Sequence, residues 1–230
     1  MASFSTTATI AEPEISRAEG GRPDYGTRLR RARLGLLVTL TPILMLFVSF
    51  TSAYVVRQGL PTLDPRTNNL IRDWIPVELP RLLLLNTFVL LVSSLSMELA
   101  RRQLQSQVAL ATTSPVAGDT LASKIRMPWL GVTLVLGLAF LFGQWTAWQQ
   151  LAANGYYVAT TPSSSFVYLL TGAHAAHLLG GVLAMLIAGI ASLLHRSLKT
   201  RSIVVDVTAW YWHFMAVLWI YIFCLMKFVR

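Results

Sequence analysis

The chain has 230 residues, of which 54% are hydrophobic and only 13% are charged, and its mean hydropathy is +0.56. Soluble domains carry about 25% charged residues, so this composition excludes an ordinary water-soluble protein. The formal net charge is +9, but the basic residues lie between long apolar segments, which favours a role in membrane topology over nucleic-acid binding.

The first 27 residues differ in composition from the rest of the chain. They are rich in Ser, Thr and Ala and contain no apolar core of the kind found in a secretory signal peptide. We predict that residues 1–27 form a disordered cytoplasmic tail. Residues 28–230 are predicted to form a single transmembrane domain.

Five apolar segments follow the tail, each long enough to cross the hydrocarbon core as an α-helix, which takes about 20 residues. They cover residues 34–56, 79–100, 129–151, 166–194 and 204–229. None of them alternates apolar and polar residues as a transmembrane strand does. The sequence therefore predicts an all-α fold, a polytopic bundle of five transmembrane helices.

The Lys and Arg residues predict the orientation of this bundle. They are concentrated before the first span and in the loops after the second and fourth spans, whereas residues 152–165 contain neither. Basic loops remain in the cytoplasm. We therefore expect the amino terminus inside and the carboxyl terminus outside.

The acidic residues near the membrane lie at the ends of spans. Glu98 ends the second span, with Arg101 and Arg102 three and four residues later, and this spacing predicts a structural ion pair on the helix surface. Asp206 lies near the start of the fifth span, where a carboxylate complements the helix dipole. Neither position indicates a catalytic acid.

A row of small residues recurs every fourth position in the fourth span: Gly172, Ala176, Gly180, Ala184 and Ala188. Small side chains let membrane helices approach closely, so we predict that this row packs against neighbouring helices. The row turns by about 40° per step on a helix of 3.6 residues per turn. It is therefore expected to face more than one neighbour.

Three histidines in the spans are candidates for a metal or haem site. His174 and His177 share a face of the fourth span, and His213 lies in the fifth. Intramembrane histidines are functional candidates, but no carboxylate or thiol accompanies the pair on its own helix. We favour a structural role, in contact with lipid or another subunit, over ligation of a cofactor.

The fifth span is rich in aromatic residues. Trp210, Tyr211 and Trp212 suit an interfacial belt, whereas Trp219 lies deeper in the membrane. Trp212 and Trp219 are seven residues apart and share a helix face. We expect that face to contact lipid or a partner subunit.

Four segments together resemble subunit III of the haem-copper terminal oxidases, in its five-helix form. The resemblance covers roughly residues 30–230 and depends on the order and spacing of short motifs. They are Met45-Leu46-Phe47 and Thr51-Ser52-Ala53-Tyr54-Val55-Val56-Arg57 in span one; Leu79-Pro80, Leu85-Asn86-Thr87 and Leu91-Val92-Ser93-Ser94 in span two; Thr171-Gly172-x-His174-x-x-His177-x-x-x-Gly181 in span four; and Tyr211-Trp212-His213-Phe214 with Trp219 in span five.

The resemblance implies an accessory subunit of a respiratory oxidase, such as cytochrome c oxidase, in a bacterial inner membrane. Such a subunit binds no haem or copper itself and has no active site of its own. It packs on subunit I, which holds the haems and copper, in a complex that also contains subunit II. It binds phospholipid, stabilises the complex and supports proton uptake during oxygen reduction.

The chain departs from the family at two positions. Many members carry an acid in the first of these helices, where this chain has Thr41-Pro42, and an acid three residues after the histidine of the last helix, where it has Ala216. Three alternatives remain open: subunit III of a quinol oxidase, an accessory protein of a nitric oxide reductase, and a stand-alone membrane enzyme or haem-binding protein.

Overall fold

The computed structural model describes residues 24–63, 68–71, 73–113, 128–193 and 198–229. Within these ranges the chain forms five long helices and one pair of very short strands. The elements are α1 (Tyr25–Gly59), β1 (Thr62–Leu63), β2 (Leu70–Ile71), α2 (Leu82–Thr113), α3 (Pro128–Ala153), α4 (Pro162–Leu193) and α5 (Leu198–Phe228). All five helices are long and apolar enough to cross a membrane. The predicted all-α polytopic bundle is confirmed.

Each helix extends beyond its predicted span at one end at least, although α2 begins at Leu82, three residues after the predicted start. Helix α1 begins at Tyr25, nine residues before the predicted span, and Asp24 accepts a hydrogen bond from the Tyr25 backbone at its start. Since the predicted limits followed apolar residues alone, they omitted the polar turns at the helix ends. Residues 1–23 of the predicted tail lie outside the described residues, while residues 25–27 belong to α1.

The connection between α1 and α2 contains an antiparallel ladder in which Thr62 pairs with Ile71 and Leu63 with Leu70. Strands of two residues show no alternation that a sequence pattern could detect. Arg57, in the last turn of α1, donates to Asp73 at 2.5 Å and to Thr62 at 3.0 Å. The hydrogen bond from Arg57 is the main reason that the pKa of Asp73 lies below its ordinary value.

Helix α5 occupies the centre of the bundle. It packs against α1, α2 and α4, and α3 lies between α2 and α4. Both faces of α5 are therefore covered along much of its length, and Trp212 and Trp219 are fully buried. Helix α1 is the most peripheral, since only Phe47 and Tyr54 among its residues are buried.

Three glycines allow close approach inside the bundle. A Cβ atom on Gly137 would lie 2.8 Å from Cη2 of Trp212, and one on Gly181 would lie 3.1 Å from Cε3 of the same indole. A Cβ on Gly143 would lie 2.8 Å from Cγ of Asn86. Helices α3 and α4 therefore contact Trp212 from two sides only because both positions lack a side chain.

The predicted row of small residues on α4 does not include these three glycines. Most of its members are not buried within the chain. Ala176 and Gly180 are exposed, Gly172 and Ala184 are half-buried, and only Ala188 is buried. Ala176 and Gly180 are therefore not buried by another helix of this chain, and their packing against a partner subunit stays a prediction. Spacing by four drifts around the helix, whereas the buried face of α4 alternates steps of three and four: Thr171, His174, Leu178, Gly181 and Met185.

Adjacent glycines on α4 provide a matched pair of substitutions. Gly181→Leu should lower the thermal midpoint of the purified chain by about 2–10 °C, because overpacking of a filled core costs about 1–3 kcal/mol. Gly180→Leu, where a Cβ meets nothing closer than 3.7 Å, should leave the midpoint nearly unchanged. Equal losses from both variants, measured by thermal unfolding in detergent, would show that the outer row also packs within the chain.

Candidate functional site

The carboxylate of Asp206 joins three helices. It lies on α5 with 1% of its side chain exposed and accepts two hydrogen bonds from Arg33 of α1, at 2.8 and 3.0 Å. Arg101 and Gln105 of α2 donate to the same carboxylate at 3.3 and 3.1 Å. Because α5 begins eight residues earlier, at Leu198, Asp206 is not placed to complement the helix dipole. Its charged partners are the two guanidinium groups, and Gln105 adds a neutral hydrogen bond.

Glu98 forms the ion pairs that its spacing predicts. Arg101 donates to both carboxylate oxygens at 2.8 Å, and Arg102 donates at 2.7 Å. Arg101 thus bridges Glu98 and Asp206, which extends the network from α2 to α5. The pair with Arg102 contributes little to stability, since the Arg102 side chain is 73% exposed.

His213 belongs to this network. Its Nδ1 lies 2.6 Å from Oγ of Ser94, and its Nε2 lies 3.3 Å from Oε2 of Glu98. Both ring nitrogens are therefore engaged by residues of α2. We call the set Arg33, Glu98, Arg101, Arg102, Asp206 and His213 the charged cluster.

The other two histidines lie apart from the charged cluster. His174 is fully buried, with its ring 5.0 Å from that of Trp219 and 6.0 Å from that of Phe140. His177 is half-buried, and its Nδ1 lies 2.7 Å from the backbone oxygen of Ala173. Among the described residues, no three His, Cys, Asp or Glu side chains converge on a point that could hold a metal ion.

The two deep tryptophans bind hydroxyl groups of α2. Trp212 Nε1 donates to Ser93 at 3.1 Å, and Trp219 Nε1 donates to Thr87 at 3.0 Å. Both indoles and His174 are 0% exposed, so the expected contact of these three side chains with lipid or a partner is wrong. Because α5 lies at the centre of the bundle, the face that Trp212 and Trp219 share is covered by other helices of the chain. His177 and His213 retain some exposed surface.

Sequence reasoning missed most of the polar residues in this interior. Asn86, Ser93, Ser96, Thr133 and Gln144 are all buried within apolar helices. Ser96 and Thr133 share a hydrogen bond of 2.8 Å between α2 and α3, and Asn86 donates to the Phe140 carbonyl at 3.2 Å. Their presence in apolar spans could have indicated this role, because small polar residues in membrane helices commonly form interhelical hydrogen bonds.

Asp206→Asn should destabilise the bundle, because it leaves Arg33 and Arg101 without their shared counter-charge. Removing one partner of a buried ion pair costs about 3–5 kcal/mol, and the partial exposure of Arg33 reduces this to about 2–4 kcal/mol. Arg102→Gln is the control and should change stability by less than about 0.5 kcal/mol. Thermal unfolding of both variants provides the measurement, and equal midpoints would contradict a structural role for Asp206.

The sequence pattern of the family described as cytochrome c oxidase subunit III matches residues 26–229. The probable cytochrome c oxidase subunit 3 of Mycobacterium leprae (strain TN) is 25% identical over 229 residues, covering 98% of this chain and 99% of that protein. The cytochrome c oxidase subunit 3 of Corynebacterium diphtheriae is 30% identical over 102 residues, covering 44% of this chain and 50% of the relative.

A third relative is similar over most of the chain. The cytochrome c oxidase subunit 3 of Triticum aestivum is 26% identical over 197 residues, covering 83% of this chain and 66% of the relative. The family pattern runs from the second residue of α1 to the residue after α5, so it spans the whole bundle. This multi-pass chain, a component of a hetero-oligomeric oxidase complex, belongs to the cytochrome c oxidase subunit III family.

Proposed function

We propose that this chain is the non-redox accessory subunit III of a respiratory cytochrome c oxidase, packed on the catalytic subunit I in a complex that includes subunit II. The family match over residues 26–229 is the observation that carries this proposal. The relatives are named cytochrome c oxidase subunits, which supports cytochrome c over quinol as the electron donor. The haem and copper that reduce oxygen would reside in subunit I.

The histidines of the chain support a role without redox chemistry. Haem and copper need histidine nitrogens that are free to bind the metal. His213 uses its two nitrogens for Ser94 and Glu98, and the His174 ring lies against Phe140 and Trp219. The nitrogens of His174 have no protein partner, but among the described residues no three His, Cys, Asp or Glu side chains group together to hold a metal ion. We therefore assign these histidines to structural roles.

Helix α1 offers the broadest surface for a partner or for lipid. Its outward side chains are apolar and exposed, including Val38, Met45 and Val48, and only two of its residues are buried. Such a face suits either subunit I or the acyl chains of bound phospholipid. The basic residues at its start, Arg28 and Arg30, suit acidic lipid headgroups.

Support for proton uptake would be indirect. The positions that carry acids in many related chains are Pro42 and Ala216 here, and both Glu98 and Asp206 are ion-paired. Neither Glu98 nor Asp206 could pass a proton without breaking its ion pairs in the charged cluster. The chain would therefore preserve proton uptake by stabilising subunit I and the lipid around it.

Affinity purification of the tagged chain in mild detergent tests this proposal. We expect it to recover a haem-containing complex that oxidises reduced cytochrome c with consumption of oxygen. After dissociation of that complex, the tagged chain alone should show no Soret absorbance, since His213 binds Ser94 and Glu98 and the rings of Phe140 and Trp219 pack against His174. The experiment therefore separates an accessory subunit from a haem protein.

Two other results would contradict the proposal. A stoichiometric haem spectrum in the isolated chain would identify a haem-binding protein. Recovery of the chain alone, under conditions in which a control oxidase stays intact, would argue against an oxidase subunit. A complex that oxidises quinol but not cytochrome c would retain the subunit role and replace the electron donor.

The distribution of basic residues supports placement in a bacterial inner membrane with the amino terminus in the cytoplasm. Single cysteines test this orientation in a Cys224→Ser background. A membrane-impermeant maleimide should label Tyr157→Cys in intact cells, whereas Lys199→Cys should react only after permeabilisation. Both positions are exposed, so access to the side chain is not limiting. The reverse pattern would invert the proposed topology.

A further inference from the structure

His174 and Gln144 are buried side chains of facing helices, and both carry polar atoms that the packing of the described residues leaves without a partner. His174 is 0% exposed and Gln144 is 2% exposed. Neither ring nitrogen of His174 nor Oε1 of Gln144 has a hydrogen-bond partner among the described residues. A buried polar atom without a partner costs about 1–3 kcal/mol, so three such atoms call for a ligand.

The two residues lie at the same depth on facing helices. Helices α3 and α4 are joined by a short loop and run antiparallel, and Trp148 of α3 donates to Thr171 of α4 at 3.0 Å. Gln144 is four residues from Trp148, and His174 is three residues from Thr171. At a rise of about 1.5 Å per residue, Gln144 lies about 6 Å and His174 about 4.5 Å from that bond along the helices, in the same direction.

A second contact limits the region from the other side. Phe140, which is four residues from Gln144 on the same helix face, lies against the ring of His174 at 6.0 Å between centroids. Along α3, Gln144 therefore lies between the Trp148–Thr171 contact and the Phe140–His174 contact, both of which reach α4. Trp219 covers the His174 ring from α5 at 5.0 Å.

The chemistry of these atoms selects their ligand. A neutral imidazole has one donor and one acceptor nitrogen, and the Gln144 oxygen is an acceptor. The surrounding Phe140, Trp148 and Trp219 supply no charge that would favour an ion. A water molecule can accept the imidazole N–H and donate to the amide oxygen, and buried waters typically make about three such bonds.

We infer that the bundle contains an internal water site between α3 and α4, in which at least one water bridges the ring of His174 and Oε1 of Gln144. This site belongs to the chain itself and does not depend on the proposed electron donor or partner subunits. In this respect His174 differs from His213 of the charged cluster, whose ring nitrogens bind protein groups directly.

A density map of the purified complex tests the inference, at a resolution where other interior waters are visible. We expect a peak within hydrogen-bond distance of both a His174 ring nitrogen and the Gln144 oxygen. A direct hydrogen bond between the two side chains would overturn the inference, and so would continuous protein density with no peak between them.

Substitutions provide an independent test by thermal unfolding. His174→Phe and Gln144→Leu should each lower the midpoint by roughly 2–8 °C, and the double variant should lose clearly less than the two shifts combined. His177→Phe is the matched control, because His177 already contacts the Ala173 carbonyl. Its effect should add to that of Gln144→Leu. Additive effects for His174 and Gln144 would overturn the shared site.

Discussion

The buried carboxylate of Asp206 is the interaction on which the arrangement of the helices depends. Two guanidinium groups, one from α1 and one from α2, reach the same acid on α5. A charge with 1% exposure is tolerated only when it is paired and hydrogen-bonded. The position of α1 and α2 relative to α5 is therefore constrained by charge at one end of the bundle. Apolar packing alone would leave helix α1 weakly attached, because so few of its residues are buried.

Further along α5, neutral hydrogen bonds constrain the position of α2 relative to α5. The indoles of Trp212 and Trp219 reach hydroxyl groups on α2, and glycines at 137 and 181 leave room for the Trp212 ring. In a membrane, apolar contact does not distinguish a neighbouring helix from lipid, so close packing and interhelical hydrogen bonds provide specificity. The interior of this chain uses both, which agrees with the accessory role that we propose.

The candidate site was predictable in part. The pairing of Glu98 with Arg101 and Arg102 followed from positions on one helix, where spacing determines proximity. The partners of Asp206 and His213 lie more than 100 residues away in the sequence. No local pattern relates residues at that separation. The exposed row through Gly180 shows the same limit, because a helical period identifies a face without identifying what covers it.

The amino-acid sequence by itself determined the number of helices, their approximate limits and the family, since apolar length and motif order are properties of the linear chain. Tertiary structure decided which helix lies at the centre, and hence that Trp212, Trp219 and His174 face the interior and not lipid. It also decided that Gly181, and not the neighbouring Gly180, is a contact point. The physical reason is that burial depends on the helices packed around a residue, whereas the ability to span a membrane depends only on the composition of the helix itself.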